Sequence, residues 1–174
     1  MNHIVVIGFM GSGKTRVGKK LAQDLHMDFL DVDKKIAQDM KMPIADLMSK
    51  FGEPFYRALE TKTIKDMLEV ETPTVLSVGS GLPMQEQNHK YLKKLGTIIY
   101  LEASVETLKE RLSGDNKRPA LRGANLTEKI TKMLSSRAPV YEKLADITVV
   151  TGEVTFQELI RQIESELENC KKNS

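Results

Sequence analysis

Gly8-Phe9-Met10-Gly11-Ser12-Gly13-Lys14-Thr15 stands between the apolar run Ile4 to Ile7 and a stretch in which Val17, Leu21, Ala22 and Leu25 recur at helical spacing. Each part of this G-x-x-x-x-G-K-T pattern answers a need of phosphate chemistry. Glycines let the backbone turn with φ > 0 and curl its N–H groups around phosphate oxygens. The lysine sets a point charge on the β- and γ-phosphates, and the threonine hydroxyl can ligate Mg²⁺. The pattern alone is loose; a β-branched strand before it and an amphipathic helix after it are the context that makes it a phosphate-binding loop. Gly11, Ser12, Gly13, Lys14 and Thr15 are therefore the expected nucleotide contacts.

Working outward, strand-like runs at Ile4 to Gly8, Phe29 to Asp31, Thr74 to Val78, Thr97 to Leu101 and Ile147 to Val150 alternate with helical or turn segments. Such alternation predicts βαβ units, hence a five-stranded parallel sheet with helices on both faces, a three-layer α/β/α fold. Right-handed crossovers place the carboxyl ends of the strands on one edge, where ligands bind. About forty residues separate the second and third strands, more than one crossover helix requires. They read as helices from Asp33 to about Met40, from Pro43 through Met48, and from about Pro54 to Leu68, a candidate substrate-binding insertion. The Gly- and Arg-rich stretch Ser113 to Asn125 is long enough for a lid. Thr155 with Glu158 forms a capping box that opens a final helix carrying Leu159, Ile163 and Leu167 on one face.

The 174 residues suit a single domain. With 26 Lys and Arg against 24 Asp and Glu, mixed along the chain, there is no basic stripe of the kind nucleic-acid binding needs, and small anions are the expected ligands. The one cysteine, Cys170, lies in the polar C-terminal tail, can form no internal disulfide, and is expected to be inert in a reducing cytosol. No leader pattern and no membrane-length apolar run is seen, so a cytoplasmic location with no membrane partner is expected.

Several side chains outside the loop can carry chemistry. Asp31 and Asp33 close the second strand, whereas no Asp closes the third, so Asp31 is the carboxylate expected to complete a Mg²⁺ site with Thr15, directly or through water. Asp33 reads as an N-cap before Lys34, Lys35 and Ile36, as a base or substrate ligand, or as both. Arg57, flanked by Glu53 and Glu60, is either a surface ion pair or a bidentate grip on a substrate carboxylate, and spacing leaves both open. Gly79-Ser80-Gly81 is a plain turn or a place where backbone N–H groups meet a ligand, and Arg137 is likewise undecided. His3, His26 and His89 lack metal spacing.

Taken together, Gly8 to Thr15, Asp31-Val32-Asp33, Phe55-Tyr56-Arg57-Ala58-Leu59-Glu60, the Gly79 to Gly81 turn, Arg118-Pro119 and Arg137 to Tyr141 resemble, in this order and over nearly the whole chain, the shikimate kinase family. That resemblance implies a P-loop NTPase type of fold with a helical substrate-binding insertion (about 33–68) and lid (about 113–125). It implies transfer of the ATP γ-phosphate, with one Mg²⁺ ion, to the 3-hydroxyl of shikimate on the route to chorismate and the aromatic amino acids, by a monomer. It further implies that Asp33 holds the acceptor hydroxyls and serves as base. Arg57 and Arg137 then grip the carboxylate beside Gly79, Ser80 and Gly81. Arg118 reaches the phosphates from the lid, Arg111 lies against adenine, and Lys14 and Arg118 neutralise charge during transfer. Arg57→Ala or Arg137→Ala should then raise the KM for shikimate and spare ATP.

Shikimate kinases usually have three glycines where this chain has Gly79-Ser80-Gly81. If position 80 needs φ > 0, serine costs about 1 kcal/mol or more; if not, its hydroxyl adds a contact. Ser80→Gly is expected to keep or raise kcat/KM for shikimate, and a large loss would assign Ser80 to a different substrate's site. Other readings are a P-loop kinase for gluconate or a nucleotide, a nucleotide-binding module without turnover, and a GTP-dependent switch. The last lacks its motifs: no D-x-x-G occurs, and Asn116-Lys117 runs into Arg118-Pro119.

Overall fold

The apolar run before the phosphate-binding loop is the centre of the molecule. A computed structural model describes residues 3–114, 121, 123 and 125–172. Strand β1 (His3–Gly8) is buried along its whole length. It pairs in parallel with β3 (Thr74–Ser77) on one side and β4 (Gly96–Glu102) on the other; β2 (Asp28–Asp31) and β5 (Ile147–Val150) complete a sheet of order β2-β3-β1-β4-β5. The expected five-stranded parallel sheet is thus present. Alternate β1 side chains serve two cores. Val5 and Ile7 face a cluster with Ile36, Leu47, Tyr56, Leu92 and Tyr141, and Ile4 and Val6 face one with Val17, Leu21, Leu159 and Ile163. Burial on both faces is what a near-continuous Val/Ile run encodes.

Helix α1 (Lys14–Asp24) and the last helix, α8 (Phe156–Lys172), cover the second face. The capping box forms: Thr155 N–H donates to Glu158 Oε2 at 2.8 Å and Glu158 N–H to Thr155 Oγ1 at 3.2 Å. Cys170 lies in the last turn of α8, partly buried against that core, and not in a polar tail. The other face carries α5 (Glu86–Leu95), α6 (Val105–Leu112) and α7 (Leu126–Leu144).

The insertion between β2 and β3 is α2 (Val32–Met40), α3 (Ile44–Phe51) and α4 (Glu53–Asp66). Gly52 alone separates α3 from α4, at φ 88° and ψ 159°, a region open essentially to glycine. The sharp corner there brings the first turns of α4, with Tyr56 and Arg57, beside Asp33 and the turn after β3. Its buried stripe of Tyr56, Glu60, Thr63 and Ile64 follows the i, i+4, i+7, i+8 rhythm.

Two histidines prove structural. Thr74 N–H donates to His3 Nδ1 at 3.1 Å, which leaves Nε2 to donate to Val70 O at 3.1 Å. His89 Nε2 donates to Pro83 O at 2.7 Å.

Candidate active site

The loop after β1 opens α1 without a side-chain cap. Its N-cap, Gly13, has φ 97°, so the first N–H groups of the helix stay available to an anion. Lys14 Nζ donates to Gly8 O and Phe9 O, both at 3.0 Å, which curls the lysine over the loop its own backbone makes. Thr15 Oγ1 donates to Asp31 Oδ2 at 2.8 Å. A hydroxyl and a carboxylate so placed beside the loop are hard oxygen donors, and two of them suit Mg²⁺, which takes its remaining ligands from phosphates and water. Among the described residues no cluster of three His, Cys, Asp or Glu side chains could hold a metal unaided.

Asp31 also caps α2, its Oδ1 accepting from Lys34 N–H at 3.2 Å. The cap expected at Asp33 therefore falls two residues earlier. Asp33, inside the first turn of α2, is released from that duty and faces the cleft.

Arg111, at the end of α6, donates through Nη1 to Gly11 O and Ser12 O, each at 3.2 Å, and through Nη2 to Thr151 Oγ1 at 3.1 Å. It borders a cavity of about 250 Å³ lined by Gly11, Ser12, Gly13, Arg16 and Phe156, where the Arg16 guanidinium lies 4.0 Å from the Phe156 ring centroid. Arg111 gives this cavity a guanidinium wall and Val17, Phe156 and Leu159 give it apolar ones, a lining on which a flat aromatic base can stack.

On the other side of the loop a cleft of about 960 Å³ runs from Lys14, Thr15 and Asp31 to Asp33, Arg57, Gly79, Ser80, Gly81 and Arg137. Arg57 is no loose surface ion pair: its side chain is only 17 % exposed, with Nη1 on Glu60 Oε2 at 2.7 Å and Nη2 on Glu53 Oε1 at 3.0 Å. Glu60 itself is fully buried, and its Oε1 has no hydrogen-bond partner among the described residues. Burial pushes the Glu60 carboxyl up to about 7 against the pull of Arg57, and burial also raises Asp33, opposed by a hydrogen bond from the Tyr56 hydroxyl. Burial raises the Tyr56 phenol in turn, and the Asp33 charge adds to it, so Tyr56 stays a donor. Tyr56 and Glu60 were not singled out from sequence as site residues. The signal was their place on the buried stripe of α4, between Gly52 and Ile64.

The glycine turn is set by space. Gly79, Ser80 and Gly81 are not among the positive-φ residues. A Cβ at Gly79 would lie 2.8 Å from Glu60 Oε1 and 3.1 Å from Asp33 Oδ1, and one at Gly81 2.5 Å from Arg57 Nη2. Ser80 between them is unstrained, so the premise on which glycine would serve better falls. Arg137 Nη1 donates to Ser80 Oγ at 2.9 Å, and the guanidinium lies 5.9 Å from the Phe9 ring centroid. Arg118 and Arg122 lie outside the described residues, so the lid expectation has no geometry here.

A slot for a base, a phosphate cradle and then a cleft with two arginines and a carboxylate, in line along the carboxyl edge, are the layout of a P-loop kinase acting on a small anionic acceptor. The family model "Shikimate kinase" matches residues 10–168. A shikimate kinase of Thermodesulfovibrio yellowstonii is 41% identical over 168 residues, covering 97% of this chain and 96% of that protein. The structure of the shikimate kinase from Acinetobacter baumannii in complex with shikimate is similar with TM-score 0.91 and 32% identity, covering 98% of this chain and 95% of that one. A gluconokinase from Sinorhizobium meliloti, at TM-score 0.65 and 18% identity over 99% and 94% of the two chains, shares the fold alone. The chain belongs to the shikimate kinase family.

Proposed function

We propose that the chain transfers the γ-phosphate of ATP to the 3-hydroxyl of shikimate, as a cytoplasmic, monomeric single-domain enzyme of chorismate and aromatic amino acid synthesis without nucleic-acid or membrane partners. The observation that carries this reading is the one unbroken cleft from Lys14 and Asp31 to Asp33, Arg57 and Arg137. Phosphoryl transfer asks for alignment and charge neutralisation more than covalent help.

In this reading the adenine lies against Arg111 and the phosphates on the N–H groups of Gly11 to Thr15. Thr15 and Asp31 hold the Mg²⁺ that accompanies ATP, which neutralises phosphate charge. Arg137 and Arg57 take the acceptor carboxylate. Asp33 accepts the proton of the attacking hydroxyl, and the turn at Gly79 to Gly81 closes the pocket wall. Lys14, with Arg118 from a lid over 113–125, offsets charge developing on the transferred group. The insertion, about 33–68, supplies the acceptor side. Family membership and the Arg57 and Arg137 side chains on the acceptor cleft favour a carboxylate-bearing acceptor.

The test is ADP release, coupled to an optical readout, with shikimate, gluconate and nucleoside monophosphates side by side. Shikimate alone is expected to stimulate release, dependent on Mg²⁺. Stimulation by gluconate or a nucleotide in its place would overturn the acceptor assignment.

A further inference from the structure

The two arginines of the acceptor cleft are held in opposite ways. Arg57 is matched by two carboxylates, Glu53 and Glu60, which offset its charge. Arg137 has no carboxylate partner among the described residues. Its hydrogen bond to a side chain runs from Nη1 to the neutral Ser80 Oγ at 2.9 Å. A neutral acceptor fixes the guanidinium plane without reducing the charge available to an anion.

Ser80 itself cannot drift. Buried Tyr141 donates to Ser80 O at 2.6 Å from the last turn of α7. Beyond the turn, buried Asn88 donates to Leu82 O at 3.1 Å and His89 to Pro83 O at 2.7 Å. The turn is thereby tied to α5 and α7 together. Because Ser80 Oγ already accepts from Arg137, and an arginine has no acceptor, the hydroxyl proton must point elsewhere. Ser80 and Arg137 line the same cleft, so that proton is available to an anion bound there.

We propose that Ser80 is a specificity-determining residue of the acceptor pocket. Its oxygen orients Arg137, and its proton is donated to the same carboxylate that Arg137 binds. The two glycines flanking it leave room for Asp33, Glu60 and Arg57, so position 80 is where this turn can carry a side chain without displacing them. The inference rests on the reading of Arg137 as a carboxylate grip.

The experiment compares the unaltered protein with Ser80→Ala, Ser80→Gly and Ser80→Thr, by steady-state kinetics with shikimate and ATP and by calorimetric binding of shikimate. Loss of a hydrogen bond to a charged group should raise the KM and Kd for shikimate about tenfold in the Ala and Gly variants, with kcat and the ATP KM changed less than about twofold. Ser80→Thr, which keeps the hydroxyl, should recover most of that loss. In an Arg137→Lys background the further effect of Ser80→Ala should shrink to below about twofold, since the two groups act on one carboxylate. Unchanged or tighter shikimate binding in the Ala and Gly variants would overturn the role of Ser80 while leaving the functional reading intact. So would equal damage to ATP binding. An unaltered protein that neither binds nor phosphorylates shikimate would overturn both.

Discussion

The Tyr56 hydroxyl and the Asp33 carboxylate meet across 23 residues of sequence, and that contact sets how the proposed base behaves. Burial raises Asp33 first, and the Tyr56 hydrogen bond, which favours the charged form, pulls it back. Removing the hydroxyl should let the carboxyl rise further. In Tyr56→Phe the acid limb of the kcat/KM profile for shikimate is therefore expected to move to higher pH, while the ATP KM holds. A limb that stays in place would show that Asp33 is not the group reported by the profile. Sequence could suggest that Asp33 faced the site. It could not supply Tyr56, because the pairing depends on where α4 crosses α2.

At the scale of elements, α4 and the turn after β3 form one device. Arg57 lies so close to the backbone of Gly81 that a Cβ would sit 2.5 Å from Nη2 and 2.7 Å from Nη1. Both contacts are to the working end of the side chain, so the arginine and not the backbone would yield. Gly81→Ala is expected to swing Arg57 out of line and raise the shikimate KM by about ten- to a hundredfold, on the scale of losing a charge-assisted hydrogen bond, with ATP binding unaffected. Kinetics with both substrates varied would check it, and an unchanged shikimate KM would show that Arg57 does not hold the acceptor. The glycines were legible as a turn. Their reason was not, since the sequence left open a plain turn or backbone N–H groups meeting a ligand, and the contact distances that exclude a side chain at Gly79 and Gly81 exist only in the folded chain. The helix cap tells the same lesson. Asp31 and Asp33 are both chemically fit to cap α2, and only the backbone path decides that Asp31 does so while also accepting from Thr15.

For the whole molecule, the buried acceptor site has a cost in stability that depends on pH. Glu60, pushed up to about 7 from an ordinary 4.5, binds its proton more tightly folded than unfolded. The stability linked to that proton is fully present below about pH 4.5 and is lost as pH rises through about 7; Asp33, also raised, adds in the same sense. The thermal midpoint is expected to fall between about pH 5 and pH 8, and Glu60→Gln should flatten much of that slope because it removes the titration and keeps an acceptor for Arg57. Melting curves across the range check it, and an equal slope in both proteins would place Glu60 outside the balance.

By itself the sequence determined the phosphate loop, the five parallel strands, the helical insertion and the family, because these rest on periodicity, glycine spacing and motif order, all local along the chain. Tertiary structure alone decided that Glu60 is buried, that Tyr56 holds Asp33, that Ser80 is unstrained and holds Arg137, and that Gly79 and Gly81 are needed for space. Each of those depends on the approach of elements distant in sequence, where a few tenths of an ångström separate a hydrogen bond from a clash, and no local pattern records such distances.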